Sequence, residues 1–272
     1  MNLRWVYSTY LIVLIALNTG CEKAALKNDM LVYGHAGTSL YPERWIFPAN
    51  TKESVLYALD VLDADGVELD VQMTRDSVLV LYHDEYLDEN TRLSGCISEY
   101  NFNDLNNLNL YQTRYELLTL EEALSIILER NRNVILDLKP YNYCDSANVD
   151  YGVFNRALNR DLLPYNHLQK TKIVANALNI SLLNSLTDTS IVRSFETQNE
   201  NHALQYFKNK YIDEVCFDAA VFNDEIRNQF VSNQIPFSLF GVKTQAEIKR
   251  GIEFSPKRII TDNISYTRKF VY

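Results

Sequence analysis

Five short pieces of this chain carry side chains that can bind a metal or move a proton: His35-Ala36-Gly37, Glu68-Leu69-Asp70, His83-Asp84, Asp137-Leu138-Lys139 and Thr261-Asp262-Asn263. Each follows a short apolar run that reads as a strand. Glu68 and Asp70 are two apart, so on a strand both point to the same face. Two desolvated carboxylates side by side repel each other unless a cation joins them. Oxygen-only ligands favour a hard ion, calcium or magnesium, over zinc. Asp137 ends another strand and offers a third oxygen ligand. Lys139, two residues on, faces the same way and suits an anion beside the metal. His35 and His83 are two of only four histidines. Imidazoles titrate near neutrality and suit an acid and a base on either side of a bound group. Metal, lysine and two histidines together describe a site for cleaving a phosphodiester. A lone aspartate at a strand end is ordinarily a helix cap, and a lone histidine a structural residue. Placement at successive strand ends is what separates this set from that reading.

Such a set requires a frame that brings many strand C-termini to one mouth, which is what a barrel does. The body of the chain alternates strand-like and helix-like segments, as in parallel α/β layering. Strands are predicted near 31–34, 66–70, 78–82, 133–138, 190–194, 213–217, 236–240 and 257–261, enough for a (βα)8 TIM barrel. Asn50-Thr51 can cap a helix through ESVLYALDVL, with Val55, Leu56, Leu59 and Leu62 on one face. Thr119 with Glu122 forms a capping box. Helical spacing recurs over 180–186, 199–207 and 245–253. Thr74-Arg75-Asp76-Ser77 is too short to hold a crossover helix. The barrel is therefore expected to be distorted between its second and third strands, by a missing helix or a local hairpin. An irregular insert from about Glu85 to Leu118 reads as a lid, a substrate-selecting loop or an ordered surface loop.

The first twenty residues are a separate unit. Arg4 is the only charge before Glu22, and the apolar run Leu11 to Leu17 is followed by Asn18-Thr19-Gly20-Cys21. This reads as an export signal over 1–20, the alternative being an anchor that stays. Cys21 then resembles a lipidated cysteine at a bacterial lipoprotein cleavage site. Asn18 stands where such sites usually carry Leu or Val. The expected organisation is a signal over 1–20, a polar tether over 21–30 and one barrel domain over 31–272. The protein would sit in a bacterial cell envelope, held to a membrane by lipid. Net charge is -9, and no basic run offers a surface for nucleic acid. Charge does not draw the chain to anionic membranes either, which leaves the lipid anchor as the membrane contact. Cys96, Cys144 and Cys216 are widely spread, lack zinc spacing and read as buried free thiols.

The pieces HAG (35–37), PANT (48–51), ELDV (68–71), TRDS (74–77), YHD (82–84), DLK (137–139), SFE (194–196) and TDNI (261–264) resemble the motifs of the glycerophosphodiester phosphodiesterase family. The resemblance runs from about Val32 to Asn263. It implies a (βα)8 barrel and hydrolysis of glycerophosphodiesters to an alcohol and glycerol 3-phosphate. His35 and His83 would be the acid/base pair. Glu68, Asp70 and Asp137 would hold the divalent cation, and Lys139 would contact the phosphate. Three positions depart from the family pattern. Ala36 stands in place of an arginine that binds phosphoryl oxygens, Ala49 in place of a glutamate, and Asp137 in place of a glutamate. Glu43 is a candidate for the space of the second, and Arg44 or Arg92 for the missing cation. The alternatives are a binding lipoprotein that has lost turnover, or a lipid phosphodiesterase of the sphingomyelinase D type.

Overall fold

The computed structural model describes residues 30–44, 46–105, 108–110, 114–140, 144, 150–169, 172–186 and 190–272. The proposed signal, Cys21 and nearly all of the tether lie outside the described residues. Strands that are apolar on both faces must be covered on both, which forces a parallel sheet either between helices or into a barrel. Here the sheet closes. The strands are β1 (Leu31–Gly34), β2 (Gly66–Met73), β3 (Leu79–Leu81), β4 (Asn133–Leu138), β5 (Ile173–Ala177), β6 (Val192–Thr197), β7 (Glu214–Asp218), β8 (Phe237–Val242) and β9 (Arg258–Thr261). The order around the ring is β1, β9, β8, β7, β6, β5, β4, β2, and β1 pairs with β2 to complete it. Every pair within the ring is parallel. Closure needs a glycine: a Cβ on Gly66 would come within 2.6 Å of the Tyr33 ring.

Each ring strand is followed by a helix: α1 (Lys52–Leu56, continued by a π-turn over Tyr57–Val61), α3 (Leu120–Glu129), α4 (Tyr151–Leu162), α5 (Ile180–Ser185), α6 (Glu200–Lys208), α7 (Asp224–Ser232), α8 (Gln245–Glu253) and α9 (Ile264–Val271). A further short helix, α2 (Phe102–Leu105), lies in the insert. The large core fills the space between ring and helices, with Val67, Leu69, Val134, Leu136, Phe217 and Leu239 turned outward. Strand alternation then sends the other set inward. Along the inner face, Tyr33, Ile135, Val174, Val192, Cys216 and Ile260 form a small apolar middle layer. Beneath it, at the strand N-termini, Arg258 and Glu214 are paired and buried. Above it lie Glu68, Asp70, Asp137, Asn176 and Glu196.

Three expectations are corrected. The predicted strand near 78–82 is not part of the ring. It is β3, antiparallel to the far end of β2, so the tight Thr74–Ser77 link is a hairpin turn and the crossover helix after β2 is α3. The ring strand missing from the sequence reading is β5, whose sequence IVANA carries a polar Asn176. The insert after β3 packs on its own core of Val80, Tyr82, Leu87, Ile97, Leu105, Leu108, Leu110 and Leu117. The third correction concerns the cysteines. Cys96 and Cys144 form a disulfide across 48 residues, while Cys216 is a buried free thiol. Their Cα atoms are 5.8 Å apart, a separation set by the fold and invisible in spacing along the chain. The bridge ties the insert to the segment that follows β4.

Candidate active site

The mouth is assembled by the C-terminal ends of the ring strands. Glu68 and Asp70 project from β2, Asp137 from β4, and one oxygen of each lies within 4.8 Å of the others. All three are buried. Each is held by a different neighbour. The Ala36 backbone N–H donates to Glu68 Oε2 at 3.0 Å. Asn50 Nδ2 donates to Asp70 Oδ2 at 2.7 Å, while the Asp70 N–H donates back to Asn50 Oδ1 at 3.1 Å. Lys139 Nζ lies 2.7 Å from Asp137 Oδ2 and 3.2 Å from Asp70 Oδ1. Asn176 bridges onward, with its Nδ2 3.4 Å from Asp137 Oδ1 and 2.8 Å from Glu196 Oε2.

The electrostatics are those of a cluster with surplus negative charge. Burial, then the Asp70 and Asp137 charges, push the Glu68 carboxyl well above the usual range. Burial and the Asp137 charge raise Glu196 to about 8. Burial also opposes ionisation of Asp70, but Lys139, His83 and Asn50 outweigh it and hold the group at about 2. Burial alone would lower the Lys139 ammonium, yet Asp137 and Asp70 keep it charged. One lysine thus faces Glu68, Asp70, Asp137 and Glu196. Clustered, desolvated oxygen ligands of this kind fit a hard divalent cation. Glu68, Asp70 and Asp137 are the residues that would hold it.

The two histidines flank this cluster. His35 Nδ1 lies 3.1 Å from Asp262 Oδ1, and its Nε2 lies 3.8 Å from Glu68 Oε2. Asp262 Oδ1 also accepts from Ser39 Oγ at 3.0 Å and from the Leu40 N–H at 2.9 Å. Burial works against the Asp262 charge, but the hydrogen bonds from His35, Leu40 and Ser39 outweigh it and keep the group below the usual carboxylate range. An ionised Asp262 is acceptor only, so His35 carries its proton on Nδ1 and turns Nε2 to the cavity. His83 is oriented in the same way, with Nδ1 2.9 Å from Asp84 Oδ1. Asp84 is steadied by Asn90, and Gln72 Nε2 grips the Tyr82 and Asp84 carbonyls at 2.9 Å each. Burial disfavours the charged His83 ring, but Asp70 and Asp84 raise its pKa above the ordinary value.

All six residues singled out from the sequence, His35, Glu68, Asp70, His83, Asp137 and Lys139, line one cavity of about 350 Å3. Of the substitutes considered for the departures, none does. Glu43 and Arg44 are exposed on a 3-10 turn, and Arg92 lies at a separate surface depression with Leu93, Asp104, Leu108 and Asn109. Ala36 is buried in the left-handed region at φ 48°. Sequence reasoning missed Asn50, Asn176, Glu196 and Lys243, and picked out Asp262 without giving it a role. Asn50 reads as a cap, but the cap of α1 is Thr51, which accepts from the Ser54 N–H; Asn50 instead clamps Asp70. Glu196 sits inside a motif, SFE, and that is its only signal in the sequence.

The family model of the glycerophosphoryl diester phosphodiesterase family matches residues 39–266. A glycerophosphodiester phosphodiesterase of Bacillus altitudinis is 34% identical over 100 residues, 34% of this chain and 40% of that protein. Glycerophosphodiester phosphodiesterase 1 of Mus musculus is 34% identical over 108 residues, 37% of this chain and 32% of that protein. The matched stretches thus span less than half the length of these relatives. Among solved structures, a phosphodiesterase from Oleispira antarctica in complex with the product sn-glycerol-3-phosphate superposes with a TM-score of 0.75 at 18% identity, covering 89% of this chain and 96% of that one. A glycerophosphodiester phosphodiesterase from Parabacteroides distasonis gives 0.73 at 18% identity, covering 90% and 98%. At that identity the likeness is one of fold.

Proposed function

Since this chain belongs to the glycerophosphoryl diester phosphodiesterase family, we propose that it hydrolyses glycerophosphodiesters to glycerol 3-phosphate and a free alcohol, with a divalent cation held by Glu68, Asp70 and Asp137. The observation that carries this reading is the placement of two carboxylate-oriented histidines on either side of a buried three-carboxylate cluster, in one cavity. A binding module has no need of two poised proton carriers.

The bound cation would act as a Lewis acid that offsets the charge building on the phosphoryl oxygens. The chain's own residues do the rest. Asp262 fixes the His35 tautomer, so Nε2 presents a lone pair that can take the proton of attacking water. His83, its pKa raised, is the ring better suited to hand a proton to the departing alcohol oxygen. One P–O bond forms to water and one breaks to the alcohol, and the proton gained at His35 balances the one lost at His83. Lys139 braces Asp70 and Asp137 and lends its charge to the phosphate site. Purified protein in calcium or magnesium buffer, assayed against a panel of glycerophosphodiesters, should release glycerol 3-phosphate, and chelation should stop it. A panel that is bound but never cleaved supports the binding lipoprotein instead.

The envelope location is likewise our reading. Arg4, the apolar run to Leu17 and Thr19-Gly20-Cys21 support export and lipidation at Cys21. The Cys96–Cys144 bridge supports an oxidising compartment. Mass spectrometry of the mature N-terminus should find a lipid-modified Cys21 and no residues 1–20.

A further inference from the structure

The cavity takes an anion, yet the first strand end brings it no cation: Ala36 is buried and its N–H is committed to Glu68. Lys139 lines the cavity but is held between Asp137 and Asp70. The other lysine on the cavity wall is Lys243, which follows β8 and precedes the N-cap of α8. It forms no contact-distance ion pair among the described residues, though its charge, after the Thr244 and Lys243 backbone N–H groups, helps hold the neighbouring Glu247 carboxyl below its ordinary value. Its Nζ lies 3.8 Å from the centroid of the Tyr41 ring, a cation–π contact that holds the ammonium while leaving its donors open. Tyr41 in turn packs edge-on against His35, with ring centroids 6.5 Å apart.

The placement is built from both sides. The Tyr41 N–H donates to Ser39 Oγ at 3.0 Å, and Ser39 Oγ donates to Asp262, the carboxylate that orients His35. On the other strand end, the Lys243 N–H donates to Glu247 Oε2 at 3.0 Å and the Thr244 N–H does so at 2.8 Å, within the α8 capping box. One aspartate therefore registers both the proton carrier and the platform on which Lys243 rests.

We propose that Lys243 is the second cation of the phosphate site, carried on the His35 side of the mouth by the face of Tyr41 and donating to the substrate's phosphoryl oxygens opposite Lys139. An ammonium on a flexible four-carbon stem has the reach for this, and three donors to spend on an anion. The proposal rests on a phosphodiester substrate, and its test separates the two readings. Binding of glycerol 3-phosphate is measured by calorimetry in calcium or magnesium buffer, beside kcat and KM for the cleaved diesters. Lys243→Met should weaken glycerol 3-phosphate binding and lower kcat/KM by about tenfold to a hundredfold, the scale of one lost charge-assisted contact. Lys243→Arg should restore most of both. Tyr41→Leu, which removes the ring under the ammonium, should raise KM more than it lowers kcat. Binding that is equal in wild type and Lys243→Met overturns the proposal, whatever the turnover. Wild type that binds glycerol 3-phosphate through Lys243 but cleaves nothing upholds it and overturns the hydrolase reading.

Discussion

The barrel buries charge at both ends of its interior and treats it in opposite ways. At the strand N-termini, Glu214 meets Arg258, with Lys257 Nζ 2.9 Å from its other oxygen. Arg258 is fully buried and its guanidinium also lies 5.9 Å from the Tyr33 ring centroid. Every charge there has a counter-charge. At the strand C-termini, Glu68, Asp70, Asp137 and Glu196 share Lys139. The floor is neutralised by the chain itself. The mouth is left short of positive charge, and what completes it must come from outside. The difference separates a structural ion pair from a binding site more cleanly than burial does, since Glu68 and Asp70 at the mouth are buried as Glu214 and Arg258 are.

The contrast breaks most visibly under mutation. Arg258→Met leaves Glu214 buried with only the partly exposed Lys257, and removing one partner of a buried pair costs about 3–5 kcal/mol. Thermal or denaturant unfolding should show a loss of that order, with little change in kcat for the molecules that remain folded. At the mouth, His35→Ala or His83→Ala should lower turnover by about a hundredfold or more and leave the melting temperature nearly where it was. If either variant unfolds early while retaining its rate, the histidine is structural.

Glu68→Gln sharpens the comparison by reversing its sign. Removing one of several like charges should leave the metal-free protein as stable as wild type or more so, and calorimetry should show calcium or magnesium binding abolished. Equal metal binding by wild type and Glu68→Gln would sink the assigned ligand set.

The smallest expected effect is a pH slope. Glu196 has an ordinary value of 4.5 and titrates at about 8 in the folded chain. Across that window the folded state binds more protons than the unfolded one, so stability falls as pH rises, by at most about 1.4 kcal/mol per pH unit for one group. Glu68 acts in the same direction. His83, raised above 6.5, contributes stability below that value and loses it as pH rises through its folded pKa. Asp70, held at about 2, opposes them only in acid: its contribution is present above 3.8 and lost as pH falls toward 2. Metal-free protein should therefore melt lower at pH 8 than at pH 5, and calcium or magnesium should flatten the slope. A slope unchanged by metal would place the titrating groups elsewhere.

Seven of the eight ring strands and the six polar residues at the mouth are legible because each announces itself locally, as an apolar run ending in a polar or charged residue. What escaped has partners far away in sequence. Asn50 and Asp70 are 20 residues apart and His35 and Asp262 are 227 apart, and neither pairing leaves a mark in either segment. Strand β5 was missed for a related reason: Asn176 is polar because it faces the active site, and a strand of five residues has too few others to declare its period. The β3 hairpin reads as a ring strand because it is apolar on both faces, with Leu79 and Leu81 in the main core and Val80 in the insert's own, a pattern that from sequence looks like any ring strand.

The lone thiol inside the barrel bears on how this chain is oxidised. Cys96, Cys144 and Cys216 allow three pairings, and one is found. Disulfide exchange needs a thiolate with room to attack in line. In the closed ring Cys216 is walled in by the middle layer, and burial, then the Glu196 charge, push its thiol well above its ordinary value. Its thiol is buried at the floor of the active-site cavity and is poorly placed to exchange. A chain oxidised before its strands assemble has three pairings open to it, and the two wrong ones both use the sulfur of β7. A chain oxidised afterwards has a single choice left. Barrel closure thus favours the pairing that is found, by withdrawing the competing sulfur from the reaction.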